Sequence, residues 1–143
     1  MGNPRNWKLT SPSAGGFHTV VSPRNSGCRE AWIFRLNLPA GETTVLRNDS
    51  LEMSAVVVTG RMSLAKDGGE QELGRFDSFY LPAGCEVRVR VLDELFLYAG
   101  GAVYEGVGEF FTRRCDLSQP LGSWHQVHGI PPYEREVFMT LDQ

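Results

Sequence analysis

The chain is short of the residues that staple, span or carry strong charge. It has only three cysteines in 143 residues, Cys28, Cys85 and Cys115, widely spaced and with no Cys-x-x-Cys pair. An odd, scattered set is no disulfide framework and reads as free thiols in a reducing cytoplasm. No apolar run approaches the roughly 18 residues of a membrane span, so no membrane partner is expected. The opening MGNPRNWKLT lacks the apolar centre of a secretion signal. Lysine and arginine number 14 against 17 acidic residues, for a net charge of −3. Neutralising phosphates requires a basic surface, so nucleic acid is not an expected partner. Sustained helical periodicity is missing as well, because no segment before Ala102 repeats apolar residues at i, i+3 and i+4.

What remains is β-structure, in a chain long enough for one domain with a proper core and too short for two. Residues 30–38 alternate, with Trp32, Phe34, Leu36 and Leu38 on one face and Ile33, Arg35 and Asn37 on the other. Residues 53–58 form a β-branched run that Thr59-Gly60 is expected to stop. Residues 61–66 and 71–81 flank Asp67-Gly68-Gly69, a hairpin signal. Val87, Val89 and Val91 alternate with Arg88 and Arg90. Asp93-Glu94 predicts a turn into a strand over 95–99, and residues 17–22 predict a first strand. Such short, evenly spaced strands predict an all-β antiparallel barrel or sandwich. The chain divides into a flexible arm (1–16, with Trp7 docked on the body), a barrel (17–112) and a C-terminal extension (113–143). Residues 103–112 are expected to add strand and 113–120 to be irregular, while 123–134 have no obvious place in a barrel. Residues 135–141 predict a final strand, which needs the barrel's own edge or another chain as partner.

Gly41 and Gly60, together with Asp77 followed by Pro82-Ala83-Gly84, resemble the two sequence boxes of cupins. The resemblance implies a double-stranded β-helix, the jelly-roll barrel. In metal-binding cupins a His-x-His, a Glu and a further His point inward to hold a divalent ion. The resemblance puts Arg47 and Asp49 at the His-x-His, Met53 at the Glu and Val87 at the last His. One carboxylate cannot hold a catalytic ion, so no metal and no other cofactor is expected. A narrower resemblance covers most of the chain after the arm. It is carried by LPAGET at 38–43, VVTGR at 57–61, LGRFD at 73–77 running into YLPAG at 80–84, and REV at 135–137. This succession is similar to the N-terminal half of the 5-deoxy-glucuronate isomerases of inositol breakdown and the related 5-keto-4-deoxyuronate isomerases of pectin breakdown. Those are bicupins with a degenerate N-terminal cupin and a metal site in the C-terminal one. The resemblance implies that this chain corresponds to the degenerate half, with Arg135-Glu136-Val137 marking the crossing. No second cupin follows, so the family's catalytic residues have no positions here.

The candidate ligand-binding residues are Arg47 and Asp49, expected to look into the barrel mouth. Arg47's planar fork would grip the carboxylate of an acidic sugar; otherwise the two form a local ion pair in an Asn-Asp-Ser turn. A ketol-isomerase needs a base and an electropositive partner for the enediolate, and only Asp49 and Arg47 could supply them. His125 and His128, with Cys115, Asp116 or Glu134, invite a metal reading. Their spacing suits one face of a helical turn but opposite faces of a strand, and packing or surface histidines are the plainer account. Cys85 has no histidine neighbour and reads as an inert small hydrophobe. Arg88 and Arg90 read as a solvated face. Trp32, Phe34, Phe76, Phe79, Tyr80 and Phe96 read as core or inter-subunit packing. Two functions from different classes follow. One is a metal-free structural or oligomerising half, related to uronate isomerases and forming a homodimer with a second copy. The other is a stand-alone cupin that binds a small acidic sugar.

Overall fold

The computed structural model describes residues 8–118, 120–122 and 125–138. Trp7, Ser123, Trp124 and the end of the predicted final strand, 139–141, lie outside the described residues. Eight strands share one antiparallel sheet: β1 (Gly16–Val21), β2 (Ala31–Leu38), β3 (Thr43–Arg47), β4 (Glu52–Lys66), β5 (Gly69–Leu73), β6 (Ser78–Leu81), β7 (Glu86–Ala102) and β8 (Phe111–Arg113). Their order is β1-β2-β7-β4-β6-β8, with β3 also on β7 and β5 also on β4. Among the described residues, no helix is long and apolar enough to cross a membrane.

Two long strands form the spine. β4 and β7 pair along nearly their whole lengths, from Glu52 opposite Ala102 to Ala65 opposite Arg88. Each then offers its two halves to different neighbours. β7 takes β2 along 95–102 and β3 along 86–90, while β4 takes β6 along 53–56 and β5 along 62–66. One ladder therefore runs through both halves of the sheet. Continuity here corrects two sequence expectations. Thr59-Gly60 does not stop a strand, and Asp93-Glu94 does not make a turn. The ladder instead shifts register between Val57 and Met62, a bulge that bends the sheet.

The bulge also changes which residues of β4 face inward. Before it Met53, Ala55 and Val57 are buried; after it Met62 and Leu64 are. β7 keeps one parity throughout, burying Val87, Val89, Val91, Leu95, Leu97 and Ala99. Gly60 makes the bulge possible. Its φ is +86°, and a Cβ there would overlap the carbonyl of Glu94. Arg61 and Asp93 close the outer side with an ion pair at 2.6 Å.

The remaining expectations divide. Trp32 and Phe34 face inward with Leu36 and Leu38, as the alternation of β2 predicts. The β4–β5 hairpin turns at Asp67 and Gly68, both with positive φ (50° and 82°), the pattern of a type I′ turn. Residues 71–81 are not one run, because a turn at 74–77 separates β5 from β6. Asp77 builds that turn. Its buried carboxylate accepts from the backbone amides of Gly74 (2.8 Å) and Cys115 (2.7 Å). Of the expected strand over 103–112 only Phe111 and Thr112 pair with the sheet, and the strand runs on to Arg113.

The described part of the arm, residues 8–15, makes hydrogen bonds to the sheet. Asn37 donates to the carbonyls of Pro12 (3.0 Å) and Ala14 (2.9 Å), and Ser11 meets the hydroxyl of Tyr98 at 2.6 Å. Among the described residues the final strand, β10 (Arg135–Phe138), does not pair with the barrel edge. Its partner is β9 (His125–His128), inside the extension itself, and the two form a separate two-stranded sheet.

Candidate functional site

Among the described residues, the four positions expected at a cupin metal site do not converge. Leu46, not Arg47, points inward from β3, because its neighbour across the ladder is the buried Val87. Leu46, Met53 and Val87 are 6%, 3% and 1% exposed and belong to the hydrophobic core. Arg47 lies half exposed on the opposite face, donating from Nε to Asp49 at 2.7 Å. That hydrogen bond, then the charge of Asp49, raises the pKa of the guanidinium. The expectation that Arg47 and Asp49 look into the barrel mouth is thus corrected. The structure brings the two together, but on the surface. A divalent ion requires three or more nitrogen, oxygen or sulfur donors, and a thioether and hydrocarbon in the core do not provide them. The residues present do not fit the fold family's metal.

The histidines do not form a site either. His125 and His128 lie on a strand, so they face opposite ways. His125 is buried, stacked on Phe138 at 4.3 Å and bonded to Glu136 at 3.2 Å. His128 meets Gln126 at 2.8 Å. The thiol of Cys115 has a raised pKa, first through burial and then through Asp77 and Asp116. The carboxyl of Asp116 is held low by Ser118. No group of three potential metal ligands occurs among the described residues.

What the sequence did not suggest is a cleft of about 690 Å³ at one end of the barrel. Its walls are the β4–β5 hairpin, the turn from β6 into β7, and the segment entering β8. Lys66 is its central charge. The inward parity set by the bulge runs Met62, Leu64 and then Lys66, which reaches the end of the core with its stem still on apolar ground. Its ammonium pairs with Asp67 and lies 5.9 Å from the ring of Phe110. The hydrogen bond to Asp67 raises the lysine pKa, burial opposes it, and Cys85 adds a smaller raising effect. Gln71 shares the inward side of β5 with Leu73 and accepts from the hydroxyl of Thr112. Leu64, Pro82 and Phe110 supply apolar wall.

Beside it lies a smaller space of about 160 Å³ beneath residues 104–108. There the hydroxyl of Tyr80 donates to the carboxylate of Glu52. Burial, then that hydrogen bond, pushes the tyrosine from 10.0 up to about 12. Gly108 lies directly over Tyr80, where any Cβ would overlap the phenol. A third cleft, of about 550 Å³, is lined by Trp32, Phe34, Arg24, Asn25 and Asn48. The side-chain oxygens of its two asparagines accept backbone amides of their own turns, from Ser22 for Asn25 and from Ser50 and Leu51 for Asn48. They hold their own loops.

This arrangement of strands superposes on solved structures. An IolB-like protein from Salmonella typhimurium LT2 superposes over 93% of this chain and 53% of its own, with a TM-score of 0.72 and 24% identity. An RmlC-like cupin protein from Desulfovibrio desulfuricans matches 61% of this chain and 80% of its own, at TM-score 0.52 and 17% identity. The fold is that of a cupin. KdgF from Halomonas sp. matches over 68% of this chain and 89% of its own, at TM-score 0.53 and 13% identity. The chain spans about half the length of the IolB-like structure. No family model and no curated protein matches it.

Proposed function

We propose that this cupin is a non-catalytic domain related to the uronate ketol-isomerases of carbohydrate and inositol catabolism, serving a structural and oligomerising role in the cytoplasm. The observation that carries this reading is the filled barrel. Where an isomerase of this fold would set inward ligands, this chain sets Leu46, Met53 and Val87 in the core. Enediolate chemistry needs a base and an electropositive group facing one substrate atom, and Arg47 and Asp49 are bonded to each other on the surface. Similarity to about half of an IolB-like structure supports the same reading.

A second copy is the natural partner, because exposed Leu121, Ile130 and Tyr133 give the C-terminal third an apolar surface. The test has two arms. Uronates incubated with the chain, with and without added divalent manganese, iron or zinc, are followed by NMR for aldose–ketose conversion. Sedimentation gives the mass. No conversion above buffer and a species of at least twice 15.9 kDa are expected. Conversion proportional to protein concentration, or a monomer at tens of micromolar, overturns the proposal.

A second reading, a cupin that binds a small acidic sugar, is favoured by the exposure of Arg47. A half-exposed ion pair contributes little, so a ligand carboxylate can replace Asp49 at little cost. Uronate-induced shifts centred on Arg47 and lost in Arg47→Ala would support it.

A further inference from the structure

We infer that the cleft between Lys66 and Phe110 binds an uncharged, polyhydroxylated ring, a neutral monosaccharide by chemical class. The inference goes beyond the structural role and concerns a different place from Arg47. Three observations combine. The cleft, at about 690 Å³, lies within the range of small-molecule sites, roughly 300–1,000 Å³. Its lining alternates apolar surface with hydrogen-bonding groups. Leu64, Pro82 and Phe110 supply apolar surface, and Lys66, Gln71, Thr112 and Glu109 supply donors and acceptors. A sugar ring has that same division, with an apolar face of C–H bonds and a rim of hydroxyls that both donate and accept.

Charge then selects among ring ligands. Lys66 already has Asp67 as its partner. Glu70 is held on the outer side by Ser63 and Arg90, which keep its carboxyl pKa low. Glu109 adds a further exposed negative charge. The cleft therefore carries no excess of positive charge, and an anionic ligand would meet net repulsion. A neutral hydroxylated ligand loses nothing to that field and can use both signs, accepting from Lys66 and donating to Glu109.

Glucose, galactose and xylose, each beside its uronic acid where one exists, are titrated into the isotope-labelled protein and followed by NMR. Saturable shifts at Gly69, Gln71, Phe110 and Thr112 are expected for at least one neutral sugar, with weaker binding of its uronic acid. Phe110→Leu and Gln71→Ala are each expected to weaken binding about tenfold while leaving the remaining spectrum in place. The Leu variant keeps apolar volume, so loss of binding there reports the flat ring and not unfolding. A uronic acid that binds the cleft more tightly than its neutral sugar overturns the inference, as does the absence of saturable shifts for every neutral sugar. Ketol conversion in the same tubes would overturn the non-catalytic role and leave the binding result standing.

Discussion

Gly60 and Tyr80 show how single residues carry this fold. Gly60 accepts a positive φ and leaves no Cβ to meet Glu94, so Gly60→Ala combines backbone strain with a steric overlap. A loss of about 2–4 kcal/mol is expected, read as a lower urea midpoint with an unchanged slope. Tyr80 gives a pH signature. Its hydroxyl keeps its proton to about pH 12 in the folded state, against an ordinary 10.0. Below pH 10 both states are protonated and the contribution is complete. Between about 10 and 12 the unfolded chain loses its proton first, so stability falls as pH rises. In Tyr80→Phe that part of the decline is expected to vanish, as thermal melts at stepped pH would show. Legibility at this scale was uneven. Burial of Met53 and Val87 follows from their hydrocarbon character. The outward turn of Arg47 was missed because counting from Gly41 fixes a position but not a face, and the pairing of Leu46 with Val87 decides the face. Lys66 gave no local signal, since its cleft is assembled from distant segments.

Among the elements, those half buried along their whole length were readable. β2 and the first part of β7 alternate cleanly, because one face meets the core and the other meets solvent. The unity of β4, and of β7, was not readable. Thr59-Gly60 and Asp93-Glu94 have the composition of turns, and only the opposing strand shows that they bend a ladder without ending it. The tail follows a similar logic. A strand at 135–138 was legible from its residues, but its partner was not, since His125–His128 has little β-character of its own. The pairing makes a prediction. Deleting residues 135–143 removes β10, so β9 should lose amide protection while β4 and β7 keep theirs. Hydrogen exchange read residue by residue checks this, and loss of protection across β4 and β7 would contradict it.

The whole molecule has a well-filled interior and an apolar outside on its C-terminal third. Val107, Leu121, Ile130 and Tyr133 are each more than half exposed, an arrangement suited to association. Ile130→Lys combined with Tyr133→Ser is expected to raise the monomer fraction at a given concentration while leaving the melting transition of the barrel in place. Light scattering across a dilution series measures it. The same spine that joins the two halves of the sheet also governs how the chain reaches this state. The closest pair in the β4–β7 ladder, Ala65 with Arg88, encloses all of β5 and β6. The loop closure therefore comes before any contact of that ladder repays it. Topologies of this kind fold in roughly milliseconds to seconds. The β4–β5 hairpin, whose turn is local, can form without waiting for that closure.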